Sequence, residues 1–198
     1  LPIYSLGEAL LQRGELAGAI QHFEAAARLA PLNPTAYFFL GSAFIIQGYC
    51  EQAVGQFQTA LQLKPDYAQA HLGLGQALGL QQKYPEAEAH FREAIRLKSP
   101  NPTVAWGQLG KILAMTGRGE EANACFREML RLAPNNDGAH YYFARALAFQ
   151  NRVPEARHHF QEALRLHPDF AEAHKDFASF LMAQGEVELA LEHYARAA

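Results

Sequence analysis

The sequence predicts an all-α protein built from stacked pairs of short helices. Three observations predict it. β-Branched residues, which sheets favour, number only 14 of 198. Hydrophobic residues make up 49% of the chain, enough for a packed core. An aromatic residue also recurs every 34 or 35 residues, which is the length of two short helices with their turns.

The clearest repeated pattern predicts the second helix of each pair. Its aromatic residue is preceded four residues earlier by an alanine and followed three residues later by a small or flexible apolar residue. Spacings of three and four place these side chains on one helix face. The six aromatic residues are Phe23, Phe57, Phe91, Phe126, Phe160 and Tyr194, and the alanines are Ala19, Ala53, Ala87, Ala122, Ala156 and Ala190.

A second pattern, further upstream in each repeat, predicts the first helix. A Leu-Gly pair begins it at Leu6, Leu40, Leu74 and Leu109, and Phe143-Ala144 and Phe177-Ala178 replace it in the last two repeats. Turn residues then separate the two helices, and a proline ends the second helix because it cannot continue one. The turn residues are Gly14, Gly48, Gln82, Gly117, Asn151 and Gly185, and the prolines are Pro31, Pro65, Pro100, Pro134 and Pro168.

These residues resemble the tetratricopeptide repeat family, and the resemblance covers the whole chain in the manner of a bacterial-type array. It implies a right-handed α-solenoid, the superhelix of antiparallel helix pairs typical of that family. Trp106 matches the family's aromatic residue at the fourth position of a repeat. We expect one array of six repeats: 1–33, 34–67, 68–102, 103–136, 137–170 and 171–198.

Two features of the array lead to further expectations. The third repeat carries one extra residue within Lys98–Pro102, which should change the stacking angle between repeats three and four. The sixth repeat stops before its second helix should finish, and no polar capping helix follows. We therefore expect a fragment of a longer chain, or an end covered by another chain.

Composition argues against several classes of function. The net charge of −3 is spread along the chain, so no basic stripe for nucleic acid is present. The longest nearly uninterrupted apolar stretch, Ala36–Ile46, has 11 residues, too few to insert directly into a membrane. The expected protein is soluble, with the cytoplasm favoured over the periplasm.

No catalytic residue, metal site or cofactor is expected, and the protein is predicted not to be an enzyme. Most of the nine histidines fall at equivalent positions of different repeats, which are too far apart to share a metal ion. No nucleophile, base and orienting acid come together in one loop. The glycines of residues 73–79 lack the dinucleotide-binding pattern and follow no strand.

The resemblance implies that the first helices line a concave groove. The candidate partner-binding residues there are Phe38, Phe39, Ile45, Lys111, Tyr141, Tyr142, Arg145 and Phe149. Lys111 and Arg145 share the ninth position of adjacent repeats and could together receive an acidic group. The alternative interpretation is that some of the rings pack between neighbouring repeats. If the groove interpretation is correct, Tyr141→Ala and Arg145→Ala should weaken binding and leave stability almost unchanged.

The leading functional prediction is a non-catalytic scaffold that binds a peptide or helix of a partner protein. That ligand should carry apolar anchors and an acidic group. One alternative is a substrate-recognition arm of a larger enzyme of the glycosyltransferase or sulfotransferase type. Another is a self-assembling module in which a second copy occupies the groove or the uncapped end.

Overall fold

A computed structural model describes residues 2–197, with side chains from residue 4 onward. Over these residues the chain forms twelve α-helices and no strand. The helices are α1 (Pro2–Gln12), α2 (Leu16–Leu29), α3 (Pro34–Ile46), α4 (Cys50–Leu63), α5 (Ala68–Leu80), α6 (Tyr84–Arg96), α7 (Pro102–Met115), α8 (Gly119–Leu132), α9 (Asp137–Phe149), α10 (Val153–Leu166), α11 (Ala171–Ala183) and α12 (Val187–Arg196).

The helices fall into two compact units, Leu1–Ala105 and Trp106–Ala198, which we call the N-terminal and C-terminal halves. In the N-terminal half α3 packs on α4 and α5 on α6, and the first helices α3 and α5 also touch. In the C-terminal half α9 packs on α10 and α11 on α12. Short connections between sequential helices favour antiparallel neighbours. The predicted all-α architecture of helix pairs is therefore confirmed.

The repeated aromatic position forms the centre of the packing. Five of its residues, Phe23, Phe57, Phe91, Phe126 and Phe160, are at most 1% exposed. Two contacts explain this burial. A Cβ atom added to Gly75 would lie 2.7 Å from the ring of Phe91, so only a very small residue admits the ring at that point. The ring of Phe160 stacks on that of Phe177 with centroids 5.2 Å apart.

The turns within each repeat lie where the sequence places them. The four turn glycines adopt φ angles between 77° and 83°. Gln82 and Asn151 adopt the same left-handed conformation, with φ angles of 61° and 58°. The extra residue of the third repeat is taken up in a left-handed turn at Lys98, whose φ is 54°. Its effect on the stacking angle between repeats three and four stays a prediction.

Candidate protein-binding cleft

The candidate binding residues divide between the two halves. Phe38, Phe39 and Ile45 belong to α3 in the N-terminal half, and the other five belong to α7 and α9 in the C-terminal half. The two groups therefore belong to different packing units.

The two phenylalanines of α3 pack inside the N-terminal half. The ring of Phe39 stacks on that of Phe23 at 5.3 Å and 10°. The ring of Phe38 lies 5.4 Å from that of Tyr67 and 6.1 Å from that of Phe57. Both side chains are half-buried, as is Ile45. Phe39 therefore packs between neighbouring repeats, as in the alternative interpretation, and Phe38 packs within its own repeat.

The C-terminal half instead contains a cleft between α7, α8 and α9, with a volume of about 850 Å³. This is within the range of small-ligand and peptide-anchor sites. Four of the predicted residues line it, together with residues that sequence analysis did not single out. The predicted lining residues are Lys111, Tyr142, Arg145 and Phe149, and the additional ones include Met115, Glu120 and Arg152.

Two large exposed apolar side chains line the cleft, beside the less exposed Ala114, Phe126 and Ala146. Phe149 is 85% exposed and Met115 is 66% exposed. They are the last residues of α9 and α7, and so occupy the same position of successive repeats. Ile46 and Leu80 end α3 and α5 in the same way and are 58% and 61% exposed. The 34-residue spacing could therefore have identified Met115 once Phe149 was chosen.

The basic part of the cleft is dominated by Lys111. Its Nζ atom lies 4.2 Å from the centroid of the Tyr142 ring, a cation–π contact between α7 and α9. Lys111 forms no ion pair with any residue that the structure describes. The ring therefore holds the ammonium group in place and leaves its charge unmatched.

Arg145, by contrast, already has an acidic partner. Its Nε atom lies 3.1 Å from Oδ2 of Asp176 on α11. It also donates a long hydrogen bond of 3.4 Å to the hydroxyl of Tyr141, which in turn donates one of 2.8 Å to Asp176. The sequence predicts that Lys111 and Arg145 bind one acidic group together. In the structure the guanidinium of Arg145 already pairs with Asp176, which leaves Lys111 for that role. Nothing in the sequence marks Asp176 as that partner.

Tyr141 is buried, so we expect Tyr141→Ala to destabilise the fold, contrary to the expectation from the sequence. Its side chain is only 6% exposed. Its ring packs 4.9 Å from that of Phe170 and 5.0 Å from that of Tyr142. Burial, reinforced by the hydrogen bond to Asp176, raises the pKa of Tyr141 to about 12. The phenol therefore stays neutral. Its ring packs against that of Tyr142, which lines the cleft.

The remaining charges at the rim are arranged around Arg152. Its guanidinium pairs with Glu155 at 2.7 Å and with Glu120 at 3.4 Å. Beneath it the amides of Asn123 and Gln150 hydrogen-bond to each other at 2.8 Å. Because Arg152 is satisfied in this way, Lys111 remains the cation available to a ligand.

The histidines show an arrangement that sequence analysis missed. In three repeats the histidine of the first helix faces one on the second helix, as His71–His90, His140–His159 and His174–His193. Equivalent positions of different repeats do not meet, whereas these two positions, 19 residues apart within one repeat, do. No group of three potential metal ligands occurs among the residues that the structure describes.

The sequence matches the family described as the cilia and flagella-associated protein 70 C-terminal domain, over residues 3–198. The chain belongs to this tetratricopeptide-repeat family. No curated protein matches the sequence. Within the described part of the chain, no helix combines the length and the apolar character needed to cross a bilayer.

Several solved structures have the same fold. PilW, a type IV pilus biogenesis factor, has a TM-score of 0.92 at 22% identity, and the match covers 98% of this chain and 90% of PilW. Pseudomonas aeruginosa PilF has a TM-score of 0.86 at 20% identity, with 97% and 87% covered. YrrB, described as having an unusual peptide-binding site, has a TM-score of 0.71 at 23% identity, with 88% and 90% covered. At these identities the likeness shows the fold.

Proposed function

We propose that the protein is a non-catalytic interaction scaffold that binds a segment of a partner protein in the cleft between α7 and α9. The segment carries a large apolar side chain and, close to it, an acidic one. The observation that carries this proposal is the position of Lys111, an unmatched cation held beside two exposed apolar side chains.

The exposed apolar side chains supply the driving force. Phe149 is 85% exposed in the free protein, so its side chain loses few existing contacts when a ligand covers it. Fully burying a phenylalanine side chain contributes about 1.5–3 kcal/mol. A large apolar side chain lying between Phe149 and Met115 would bury both at once, which makes this pair the natural anchor point.

Charge decides which apolar segments are accepted. The ammonium of Lys111 is held by the Tyr142 ring, so the lysine side chain loses little further conformational entropy when an acidic group pairs with it. Charge-assisted hydrogen bonds of this kind contribute about 1.5–3 kcal/mol. The other cations of the lining, Arg145 and Arg152, already pair with carboxylates. A basic segment would meet the unmatched Lys111, so the cleft selects for an acidic one.

The comparisons support a binding role of this kind. Repeat solenoids stack their helices into extended binding surfaces. YrrB, which shares the fold, is described as having a peptide-binding site. The family description names cilia and flagella, and proteins of those organelles are therefore the first partners to test.

Peptide selection tests the proposal before the partner is identified. Random peptides are selected on the immobilised parent chain and on Lys111→Glu. We expect the parent to enrich peptides with an acidic residue near a large apolar one, and the variant to lose the acidic preference. Lys83→Glu, an exposed lysine of the N-terminal half, is the matched control and should select as the parent does. Identical acidic preference on parent and Lys111→Glu contradicts the proposal.

A second copy of the chain is the other occupant that the exposed Phe149 invites. Light scattering over a concentration series distinguishes the two. The proposal predicts the mass of one chain throughout. Self-association that Phe149→Ala abolishes would assign the cleft to a second copy instead.

A further inference from the structure

Three repeats share an arrangement of paired imidazoles between their first and second helices. The two Nδ1 atoms lie 3.0 Å apart in His71–His90, 2.9 Å in His140–His159 and 2.7 Å in His174–His193. In each pair the first histidine also places its Nε2 atom 2.8–3.2 Å from a proline carbonyl oxygen, that of Pro65, Pro134 or Pro168.

These contacts determine where the protons lie at neutral pH. A carbonyl oxygen only accepts, so Nε2 of His140 carries the proton and donates it to Pro134. Neutral His140 then has a bare Nδ1 atom, which accepts a hydrogen bond from Nδ1–H of His159. One proton between the two Nδ1 atoms therefore satisfies both rings of the neutral pair. A single extra proton is also accommodated, because His140 then donates and the Nδ1 atom of His159 accepts.

A pair that gains two extra protons has no such solution. Both Nδ1 atoms would then carry hydrogen and positive charge, and would face each other at hydrogen-bond distance. In two of the pairs the surroundings offer little relief, since His140 is 9% exposed and His174 is 1% exposed, while His71 is half-buried. On the other side, the ring of Phe143 lies 4.4 Å from that of His159 and that of Phe177 lies 4.8 Å from that of His193.

We propose that these three histidine pairs make the packing of first helix on second helix proton-dependent in repeats three, five and six, so that acidification loosens α5 from α6, α9 from α10 and α11 from α12. The device is a feature of the fold and is independent of what the cleft binds. In each pair the charge of the first-helix histidine opposes protonation of the second-helix histidine.

The pKa values of the second-helix histidines agree with this geometry. Burial, followed by the charge of His140, lowers the pKa of His159 to about 4. Burial and the facing histidine also lower the pKa values of His90 and His193. The unfolded chain takes up these protons near the ordinary histidine value of about 6.5. Above that value the pairs therefore make their full contribution to the free energy of unfolding. This contribution falls as the pH drops toward the lower pKa of the folded state.

Other charged groups act on each pair. On α10, His158 opposes protonation of His159, and Glu155 and Glu162 favour it. The charge of Arg127 on α8 in turn helps to lower the pKa of Glu155.

The other two pairs have their own charged neighbours. On α6, Glu93 favours protonation of His90. On α12, Arg196 opposes protonation of His193 and Glu192 favours it. The partial compensation by carboxylates leaves the net direction unchanged, since all three second-helix pKa values are lowered.

Repeat two has the same arrangement without histidines, so nothing in it titrates near neutral pH. There Tyr37 replaces the first histidine, and its hydroxyl donates to the carbonyl of Pro31 at 3.0 Å, the same contact that the histidines make. Gln56 stands at the position of the second histidine. Replacing each histidine pair by tyrosine and glutamine therefore keeps the contact to the proline carbonyl and removes the proton dependence.

The experiment compares urea unfolding of the parent and the six-fold tyrosine/glutamine variant between about pH 7 and about pH 4.5. We expect the parent's midpoint to fall clearly with pH and the variant's to fall much less. His22→Gln, which keeps all three pairs, should respond as the parent does. Equal falls in the parent and the six-fold variant would overturn the proposal.

Two further measurements keep the test decisive if the six-fold variant does not fold. The single-pair variant His140→Tyr/His159→Gln should reduce the pH response clearly, since it removes the pair in which the pKa of His159 is lowered to about 4. Histidine ¹⁵N spectra of the parent at neutral pH should show hydrogen on Nε2 of His140 and on Nδ1 of His159. Hydrogen on Nε2 of both rings would contradict the pairing.

Discussion

The ammonium group of Lys111 on α7 lies over the ring of Tyr142 on α9, 4.2 Å from its centroid. This contact joins the first helices of two successive repeats and points a cation into a cleft that also exposes Met115 and Phe149. The arrangement gives Lys111 two properties that a surface lysine seldom combines. The ring fixes the position of the charge, and no described carboxylate forms an ion pair with it, so the charge remains for a ligand.

Removing the charge of Lys111 should weaken binding without harming the fold. Lys111→Met keeps an unbranched side chain over Tyr142 and deletes the ammonium group. We expect the affinity for an acidic peptide selected on the parent to fall by about tenfold or more, as for the loss of a charge-assisted hydrogen bond. Fluorescence anisotropy measures this. Lys83→Met should bind as the parent does, and an equal loss in both variants would point to a nonspecific charge effect.

Removing the exposed ring of Phe149 should also weaken binding. Phe149→Ala is expected to cost the selected peptide about tenfold in affinity, while the free energy of unfolding changes by less than about 0.5 kcal/mol. Leu80→Ala is the matched control, since Leu80 ends α5 as Phe149 ends α9 and lies in the other half. Calorimetric titration and urea unfolding provide the two values. Normal affinity in Phe149→Ala would exclude this ring as an anchor.

The repeated aromatic position should control stability according to its burial. Phe91→Ala removes a ring that is 1% exposed and should cost about 3–5 kcal/mol of unfolding free energy. Tyr194→Ala, at the same repeat position in α12, should cost clearly less because Tyr194 is 38% exposed. Chemical denaturation of both variants tests this. Comparable losses would show that burial at this position does not set its contribution.

Backbone conformation gives an independent test in repeat two. Gly48 has φ of 83° with open space around it, so Gly48→Ala strains only the backbone and should cost about 1 kcal/mol or more. Gly55 lies inside α4, also with open space, and Gly55→Ala should stabilise by about 0.5–1 kcal/mol. Thermal unfolding should therefore shift in opposite directions for the two alanines. Shifts of the same sign would mean that side-chain contacts dominate.

The sequence alone predicted the fold because the repeat leaves few alternatives. An aromatic ring every 34 or 35 residues, with an alanine one turn before it, can be buried only by helices that pair and stack. The turn conformation followed from the same spacing, even where Gln82 and Asn151 replace glycine. Such features depend on local pattern and on one repeated contact, both of which the sequence displays directly.

The candidate cleft was only partly predictable, because side-chain partners depend on the packing of distant residues. Position in the repeat identified Lys111 and Phe149, which the structure places in one cleft. It could not show that Asp176 pairs with Arg145 or that Tyr141 is buried. Nor did it reveal that Phe39 stacks on Phe23 and leaves the groove.

A charge swap tests the binding cleft most directly. The acidic residue of a peptide selected on the parent is changed to lysine, and both peptides are titrated against the parent and Lys111→Glu. The cleft as described predicts that each single change weakens binding and that the two together restore much of the lost affinity. Additive losses, or full affinity of Lys111→Glu for the original peptide, would contradict the assignment of this cleft as the binding site.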